Sequence, residues 1–391
     1  MAAGSVRALR KTSGVSVVGA GESPYTRHPA AGTTTEGVLA DAVRRALADA
    51  NLSTAEVDGF AACSFTLGPD HAVDLAWRLG LRLRWLMQDT NGGASAGTML
   101  QHAVRAVESG DASIVVLVAG DRMDQQVHLK MVAEYNRATA EQLVPLDMLG
   151  PNALFALLTQ RQMAAEGLTR TDYGRLAVVQ RAWASLNPGA VYREPLTLDD
   201  YLNAPVVAEP LGRYDCVPPV TGADAVVIAA DERAAGTRRA RVLAVSARYN
   251  SDDQTGDGLV TGLAGCAPEL WEAAGHGPAD VDVVSVYDDY PAMALAQLKD
   301  LGLVAGDELP AFIAERLATR KLPVNTSGGQ LSAGQPGSAG GMHGLVEVVR
   351  QLRGQAGQRQ VDARLGLFSG YGMVLYRYGA CATAGLLEAA G

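Results

Sequence analysis

A run dense in glycine and serine, Val324-Asn-Thr-Ser-Gly-Gly-Gln-Leu-Ser-Ala-Gly-Gln-Pro-Gly-Ser-Ala-Gly-Gly-Met342, breaks directly into the helical pattern His343-Gly-Leu-Val-Glu-Val-Val-Arg-Gln-Leu-Arg353. Glycine gives up side-chain packing and loses much backbone freedom on folding, so a folded chain keeps such a run where the backbone turns sharply or approaches a ligand. Ahead of a helix, its N–H groups can face an anion or a polarised carbonyl. A tightly packed connecting loop is the alternative. The cysteines offer less chemistry. Cys63, Cys216, Cys266 and Cys381 are widely separated and show neither a paired metal spacing nor a disulfide framework, so no metal site is expected.

At 391 residues the chain is long for one core, and two structural units are the default. Hydrophobic residues make up 48% and charged residues 19%, which excludes a disordered or fibrous protein. The net charge of −9, without a large basic cluster, argues against nucleic acid as a partner. The basic tail at Arg7, Arg10 and Lys11 leads into Val15-Ser-Val-Val-Gly19, too short for a signal peptide or a membrane span. A cytoplasmic location is the expectation.

The elements that must position the glycine run repeat. Ala46 to Cys63 carries a helix end, a turn and a strand, and Leu270 to Val286 does the same, each passing through Val-Asp into an apolar run. Each half continues with a Gly/Ser/Ala segment and an amphipathic helix: Asn91–Gly97 and a helix to about Glu108 in the first, Asn325–Gly341 and a helix to Arg353 in the second. Met99, Ala103, Val104 and Val107 follow a helical period, while Ile114–Val118 reads as a buried strand. Alternating strands and helices imply a layered α/β protein with a duplicated core and a mainly parallel sheet. The halves are read as 13–235 and 236–391. The first includes an inserted region, 121–219, with helical stretches at Ala153–Ala165 and Tyr173–Ala184, taken as a cap over that half.

The duplicated halves, the run Asp215-Cys-Val-Pro-Pro-Val-Thr-Gly-Ala-Asp-Ala-Val-Val-Ile228, the block Tyr287-Asp-Asp-Tyr-Pro291 and the segment Asn325–Arg353 together resemble the thiolase superfamily, in its sterol-carrier or lipid-transfer branch. The resemblance covers nearly the whole chain. It implies a duplicated five-layer αβαβα fold with mixed, largely parallel sheets, a dimer, and an acyl-CoA thioester as substrate, with coenzyme A entering only as part of that substrate and no separate cofactor. Members of the branch often work with a small OB-fold and zinc-ribbon partner.

The chain departs from the thiolase pattern at each catalytic position. Ala94 stands where the nucleophilic cysteine belongs, with Ser95 beside it. Gln335 replaces the histidine of Gly-His-Pro, Tyr287 opens the acidic block, and Phe368 or Ser369 replaces the late cysteine. Alanine forms no thioester, and glutamine takes no proton at neutral pH. The resemblance instead implies the cysteine-free aldolases of the branch, in which a β-hydroxyacyl-CoA undergoes retro-aldol cleavage without an acyl-enzyme.

Tyr287 is then the expected proton acceptor or relay. Gln335 is expected beside it, and Asn325, Gly328, Gly334, Ser338, Gly370, Tyr371 and Gly372 are expected to bind the acyl-CoA thioester. Asp288 and Asp289 could orient Tyr287, but are read as capping a helix over Ala292–Leu301. Tyr290 and His343 are read as packing residues. A catalytically silent acyl-CoA-binding subunit and a Ser95-dependent acyltransferase are the alternatives.

Overall fold

The computed structural model of the protein describes residues 9–391 except 70, 134–136, 138, 149, 235, 252–255, 305, 307 and 376–377. Arg7, and position 235 at the expected division between the halves, lie outside the described residues.

In the first half β1 (Val15–Glu22), α1 (Thr35–Asp49), β2 (Gly59–Cys63), α2 (His71–Arg78), β3 (Trp85–Asp89), α3 (Ser95–Ser109) and β4 (Ile114–Asp121) alternate. Local chemistry sets these boundaries. Thr34 accepts the Gly37 N–H at 3.1 Å and so satisfies one of the free amides that open α1. Leu39, Ala42, Val43, Ala46 and Leu47 then recur at helical spacing and are buried. Helix α3 stops at Gly110, whose φ of 79° suits glycine. Every residue of β4 is buried, as its continuous apolar run requires.

The inserted region holds α4 (Gln125–Ala133), α5 (Pro151–Glu166), α6 (Arg170–Ala184), α7 (Leu198–Leu202) and the short pair β5 (Val206–Ala208) and β6 (Leu211–Gly212). The chain re-enters the core at β7 (Gly222–Ala230). The second half follows with β8 (Arg239–Tyr249), α8 (Leu263–Ala274), β9 (Val283–Ser285), α9 (Pro291–Asp300), α10 (Leu309–Phe312), α11 (Gly329–Ala333), α12 (Gly340–Leu352), β10 (Leu365–Leu375) and β11 (Tyr378–Ala390).

The large sheet runs β3-β2-β4-β7-β1-β8-β11-β10-β9. It is mixed. Parallel ladders join β3, β2 and β4 at one end and β9 and β10 at the other. The middle is antiparallel, because β7 returns after the long insertion and β11 pairs back along β10. Helices α3 and α12 pack together at the centre, where Met99, Leu100 and Val104 share one core with Met342, Leu345 and Val349. Strands of both halves touch both helices. The outer layers are α1 and α2 on one side and α8 and α9 on the other, which completes the five-layer order.

The inserted region does not simply cover the first half. Tyr173, Leu176 and Val179 of α6 share a core with Leu295 and Leu298 of α9 and with Phe312 and Ile313, so the apolar face of α6 is buried on the second half. A glycine makes that docking close. A Cβ on Gly328 would lie 2.5 Å from the Ala184 Cβ.

Candidate active site

A cavity of about 890 Å³ opens between the inserted region and the ends of the central elements. Its buried wall includes Gly93, Tyr287, Tyr290, Met293, Gln335 and Tyr371. Arg27, His28, Gln125, Gln126 and Leu129 line it too and are exposed, which puts them at the rim. The site therefore has an apolar, aromatic interior and a polar, partly cationic mouth. That division suits a ligand with a bulky apolar end and a charged tail.

Tyr287 follows β9, where the Val286 N–H donates to Asn325 Oδ1 at 2.9 Å and fixes the strand end. Two glycines clamp its ring. Cβ atoms built on Gly93 and Gly340 would fall 2.2 and 2.8 Å from Tyr287 Cε2, so any larger residue at either position displaces the ring. The Tyr287 hydroxyl donates to Asp289 Oδ2 at 2.9 Å. Asp289 also lines the cavity. Desolvation pushes its carboxyl up to about 7 even though the Tyr287 hydrogen bond pulls it down. With its amide nitrogen facing the carboxylate, Gln330 donates to Asp289 Oδ1 at 3.2 Å and accepts the Asp288 N–H at 3.1 Å.

The neighbouring aspartate has a different task. Asp288 is 1% exposed and accepts the Gln330 N–H at 2.9 Å, the Leu331 N–H at 3.4 Å and the Gln180 amide at 3.0 Å. It thus caps α11. Helix α9, which the sequence suggested these carboxylates would cap, instead starts at Pro291 after Tyr290, with no side-chain cap. Proline supplies no amide there, so less capping is needed. Burial also raises Asp288 to about 7. Tyr290 donates to Asn152 Oδ1 at 2.6 Å and stacks on Phe155 with centroids 4.4 Å apart.

Of the glycine run Val324–Met342, Gln335 alone lines the cavity. Its amide is turned back on the loop, accepting the Gly337 N–H at 2.9 Å and donating to the Gly337 carbonyl at 3.2 Å. The other expected members stand behind the wall. Asn325 is fully buried with φ of 50°, and its Nδ2 has no partner. Gly334, with φ of 121°, packs on Val220. Ser338 donates to the Cys63 carbonyl at 2.9 Å and accepts the Gly120 N–H at 3.1 Å, joining the halves. Gly341 lets α12 pass within contact of the Gly93 carbonyl. Within the run, Gly340 packs on the Tyr287 ring and Gly341 on Gly93, while Gly328, Gly329, Gly334 and Gly337 close on Ala184, Asp288, Val220 and Asp121.

On β10, Tyr371 and Gly372 line the cavity. A Cβ on Gly372 would lie 2.2 Å from the Asn91 carbonyl, and one on Gly370 2.5 Å from the Gly93 carbonyl. Tyr371 is held by the Gly379 N–H, which donates to its hydroxyl.

Ser95 opens α3 with no exposed surface. Its hydroxyl donates to Asp89, and the Cys63 thiol donates to its Oγ at 3.0 Å. It does not line the cavity, and the acceptor of its hydroxyl is a carboxylate, not an imidazole. Thiol chemistry is equally remote. Burial pushes Cys63 and Cys216 up to about 12 and Cys381 to about 11. Cys216 is the cysteine among them that lines the cavity.

His343 lies inside α12 and is buried. Its Nε2 is 2.8 Å from Ser327 Oγ and its Nδ1 3.0 Å from the Tyr25 hydroxyl, which donates to Asp224 at 2.6 Å. Glu22, Asp224 and His343 bring three metal-capable atoms within 4.8 Å of one another. The Tyr25 hydroxyl already bridges two of them, and Arg350 pairs with Glu22 at 3.1 Å. A bound cation would have to displace the first and oppose the second, so the donor set suits a hydrogen-bonded core network better than a metal centre.

Sequence reasoning weighed Asp289 beside Tyr287 but read it as a helix cap, and it missed Gln330 and Gly93 as parts of the site. The acidic doublet beside Tyr287 was the available signal.

The thiolase C-terminal domain-like family matches residues 244–381. The chain is 34% identical over 360 residues to the 17-hydroxy-3-oxo-4-pregnene-20-carboxyl-CoA lyase of Mycobacterium tuberculosis, covering 86% of this chain and 91% of that relative. It is 30% identical over 366 residues to the steroid side-chain-cleaving aldolase of Thermomonospora curvata, covering 86% and 90%. Among solved structures, the Ltp2-ChsH2(DUF35) aldolase superposes with a TM-score of 0.82 at 27% identity, over 96% of this chain and 98% of that one. An acetyl-CoA acetyltransferase from Syntrophomonas wolfei shares the fold at a TM-score of 0.69 and 16% identity, over 97% and 99%.

Proposed function

The chain belongs to the thiolase superfamily, in its sterol-carrier-type branch, and from that premise we propose that it cleaves a β-hydroxyacyl-CoA by a retro-aldol reaction. The observation that carries this reading is the Tyr287–Asp289 pair in the wall of the cavity, at 2.9 Å, in a chain that has Ala94 and Gln335 at the positions matched to the thiolase cysteine and histidine. A phenol backed by a carboxylate can move a proton from a substrate hydroxyl. Once that hydroxyl ionises, the Cα–Cβ bond breaks, the oxygen becomes a carbonyl, and the electron pair passes into the thioester enolate. No acyl-enzyme forms.

The names of the relatives agree with this chemistry. In a 17-hydroxy steroid carrying a carboxyl-CoA on carbon 20, the hydroxyl is β to the thioester carbonyl. A fused-ring or similarly bulky β-carbon suits the interior formed by Phe155, Tyr290, Met293 and Val374. Arg27 and Arg122 at the mouth suit the phosphates of coenzyme A.

The protein is taken to act in the cytoplasm, as a homodimer, with a separate small OB-fold and zinc-ribbon partner. Among the described residues no helix is long and apolar enough to cross a membrane. The dimer is supported by β3, an outer strand of the sheet, where Leu86 and nearby Val73 and Trp77 are exposed. The partner is supported by the two-part name of the aldolase structure.

The test is incubation of the purified chain, alone and with its candidate partner, with a β-hydroxyacyl-CoA bearing a branched, bulky β-carbon. Release of a ketone with the shortened acyl-CoA supports the reading. Tight CoA-thioester binding without turnover in either case would leave a silent subunit, and an acyl adduct on Ser95 would make the protein an acyltransferase.

A further inference from the structure

We propose that Asp289 is the catalytic residue that holds the transferred proton, with Tyr287 as the relay between it and the substrate and Gln330 as a positioning residue. The inference rests on the retro-aldol reading and assigns its proton path. Three geometric facts carry it. Asp289 reaches the same cavity as Tyr287, whereas Asp288 does not. The Tyr287 hydroxyl donates to Asp289 Oδ2 at 2.9 Å, so a proton arriving at the phenol oxygen has an acceptor in line. With the Gln330 amide assigned to satisfy both neighbours, its nitrogen donates to Asp289 Oδ1 at 3.2 Å and leaves Oδ2 for the phenol.

The proton balance closes without another reactant. The β-hydroxyl proton passes to Tyr287 Oη as the phenol proton passes to Asp289 Oδ2. The hydroxyl carbon becomes a carbonyl as the Cα–Cβ pair moves into the thioester enolate. The proton on Asp289 then returns through Tyr287 to Cα, giving the shortened acyl-CoA and the resting pair.

The carboxyl is suited to this duty. An ordinary phenol titrates near ~10 and is a poor proton store at neutral pH, whereas desolvation brings Asp289 up to about 7. Tyr287, Asp288 and Tyr290 stand beside it on its own segment, and the other titratable or charged groups that line the cavity with it include Tyr371 on β10, Cys216 after β6, Asp124, and Arg27, His28, Arg122 and His128. Cys216 is pushed up to about 12 and stays a thiol. His128 is the competing base. It lines the cavity, burial lowers its pKa, and its Nδ1 lacks a partner. Among the described residues no hydroxyl stands at that nitrogen as Tyr287 stands at Asp289, and the His128 variant separates the two assignments.

The experiment is the pH profile of kcat/KM for ketone release by the protein with its partner, compared among wild type, Asp289→Asn, Asp289→Glu, Gln330→Ala and His128→Gln. In wild type the rate should rise with pH to a plateau above about 7, because the base must be ionised. Asp289→Asn should lower the rate at neutral pH by ~10²–10⁴-fold and abolish that limb, leaving a rise only toward the alkaline range. Asp289→Glu should keep a limb at a shifted pH, and it carries the test if the Asn variant does not fold. Gln330→Ala should shift the limb, which a merely structural role would not do, and His128→Gln should keep it. A limb and rate unchanged in both Asp289 variants, or a limb lost in His128→Gln, would overturn the proposal while leaving retro-aldol cleavage standing. Absence of ketone release by wild type would overturn the retro-aldol reading itself, and the proposal with it.

Discussion

Each half of the molecule contains a hydroxyl that donates to a carboxylate. In the first half Ser95 donates to Asp89 at the start of α3, and in the second Tyr287 donates to Asp289 beyond β9. Both carboxyls are raised by desolvation. The difference is access. Asp89 is also held by the Asn91 N–H at 2.7 Å and the Asn91 amide at 2.9 Å, Ser95 also receives the Cys63 thiol, and neither lines the cavity. Tyr287 and Asp289 both line it. A hydroxyl–carboxylate pair is therefore not by itself a reactive site. The first is a closed polar staple, while the second faces a volume that can hold a substrate.

The strongest way to break this contrast is to remove each hydroxyl in turn. Tyr287→Phe should lower kcat by ~10²–10⁴-fold while CoA-thioester binding, read by calorimetry, persists. Ser95→Ala should leave turnover in place and instead cost about 1–3 kcal/mol of stability in urea unfolding, because the buried Asp89 loses a donor. Reversed outcomes would transfer the chemistry to the first half.

The clamp on the Tyr287 ring gives the next largest effect. Gly93→Ala would place its Cβ 2.2 Å from Tyr287 Cε2 and 2.4 Å from the Tyr371 carbonyl. We expect about 1–3 kcal/mol of destabilisation and loss of turnover together. Wild-type kinetics in that variant would mean that the position of the Tyr287 ring does not matter.

Asp288 sharpens the comparison through pH. Its folded-state value, about 7, lies above the unfolded value, so the native protein binds more protons between about 4 and 7 and loses stability as pH rises through that window. Asp288→Asn should flatten the urea-derived stability profile there by roughly 1 kcal/mol per pH unit. An unchanged slope would show that Asp288 is ionised throughout.

The smallest effect concerns Cys216. With its thiol pushed up to about 12, iodoacetamide at neutral pH should label it slowly and leave turnover intact, as peptide mapping and activity would report.

Much of the fold was legible. The strand Gly222–Ala230, the buried run in β4 and the helix after the glycine run all follow from periodicity and from glycine placement. Where α6 docks was not legible, because its apolar stripe says that it is buried but not against which half. The site was readable in part. Tyr287 could be placed from the order of motifs, yet the sequence could not separate Asp288 from Asp289. Adjacent residues point to opposite sides of an extended segment, so one meets the amides of α11 and the other the cavity. The glycine run drew attention as a ligand-binding backbone, while its close contacts include Gly93, Asp121, Ala184, Val220, Asp288 and the Tyr287 ring.

The measurement that bears most directly on the account is ketone release from a bulky β-hydroxyacyl-CoA by the chain with its partner, run side by side for wild type, Tyr287→Phe and Ser95→Ala with mass spectrometry of the intact protein. The account predicts release by wild type and Ser95→Ala, its collapse in Tyr287→Phe, and no acyl adduct on any of them. Undiminished release by Tyr287→Phe, or an adduct on Ser95, would contradict it.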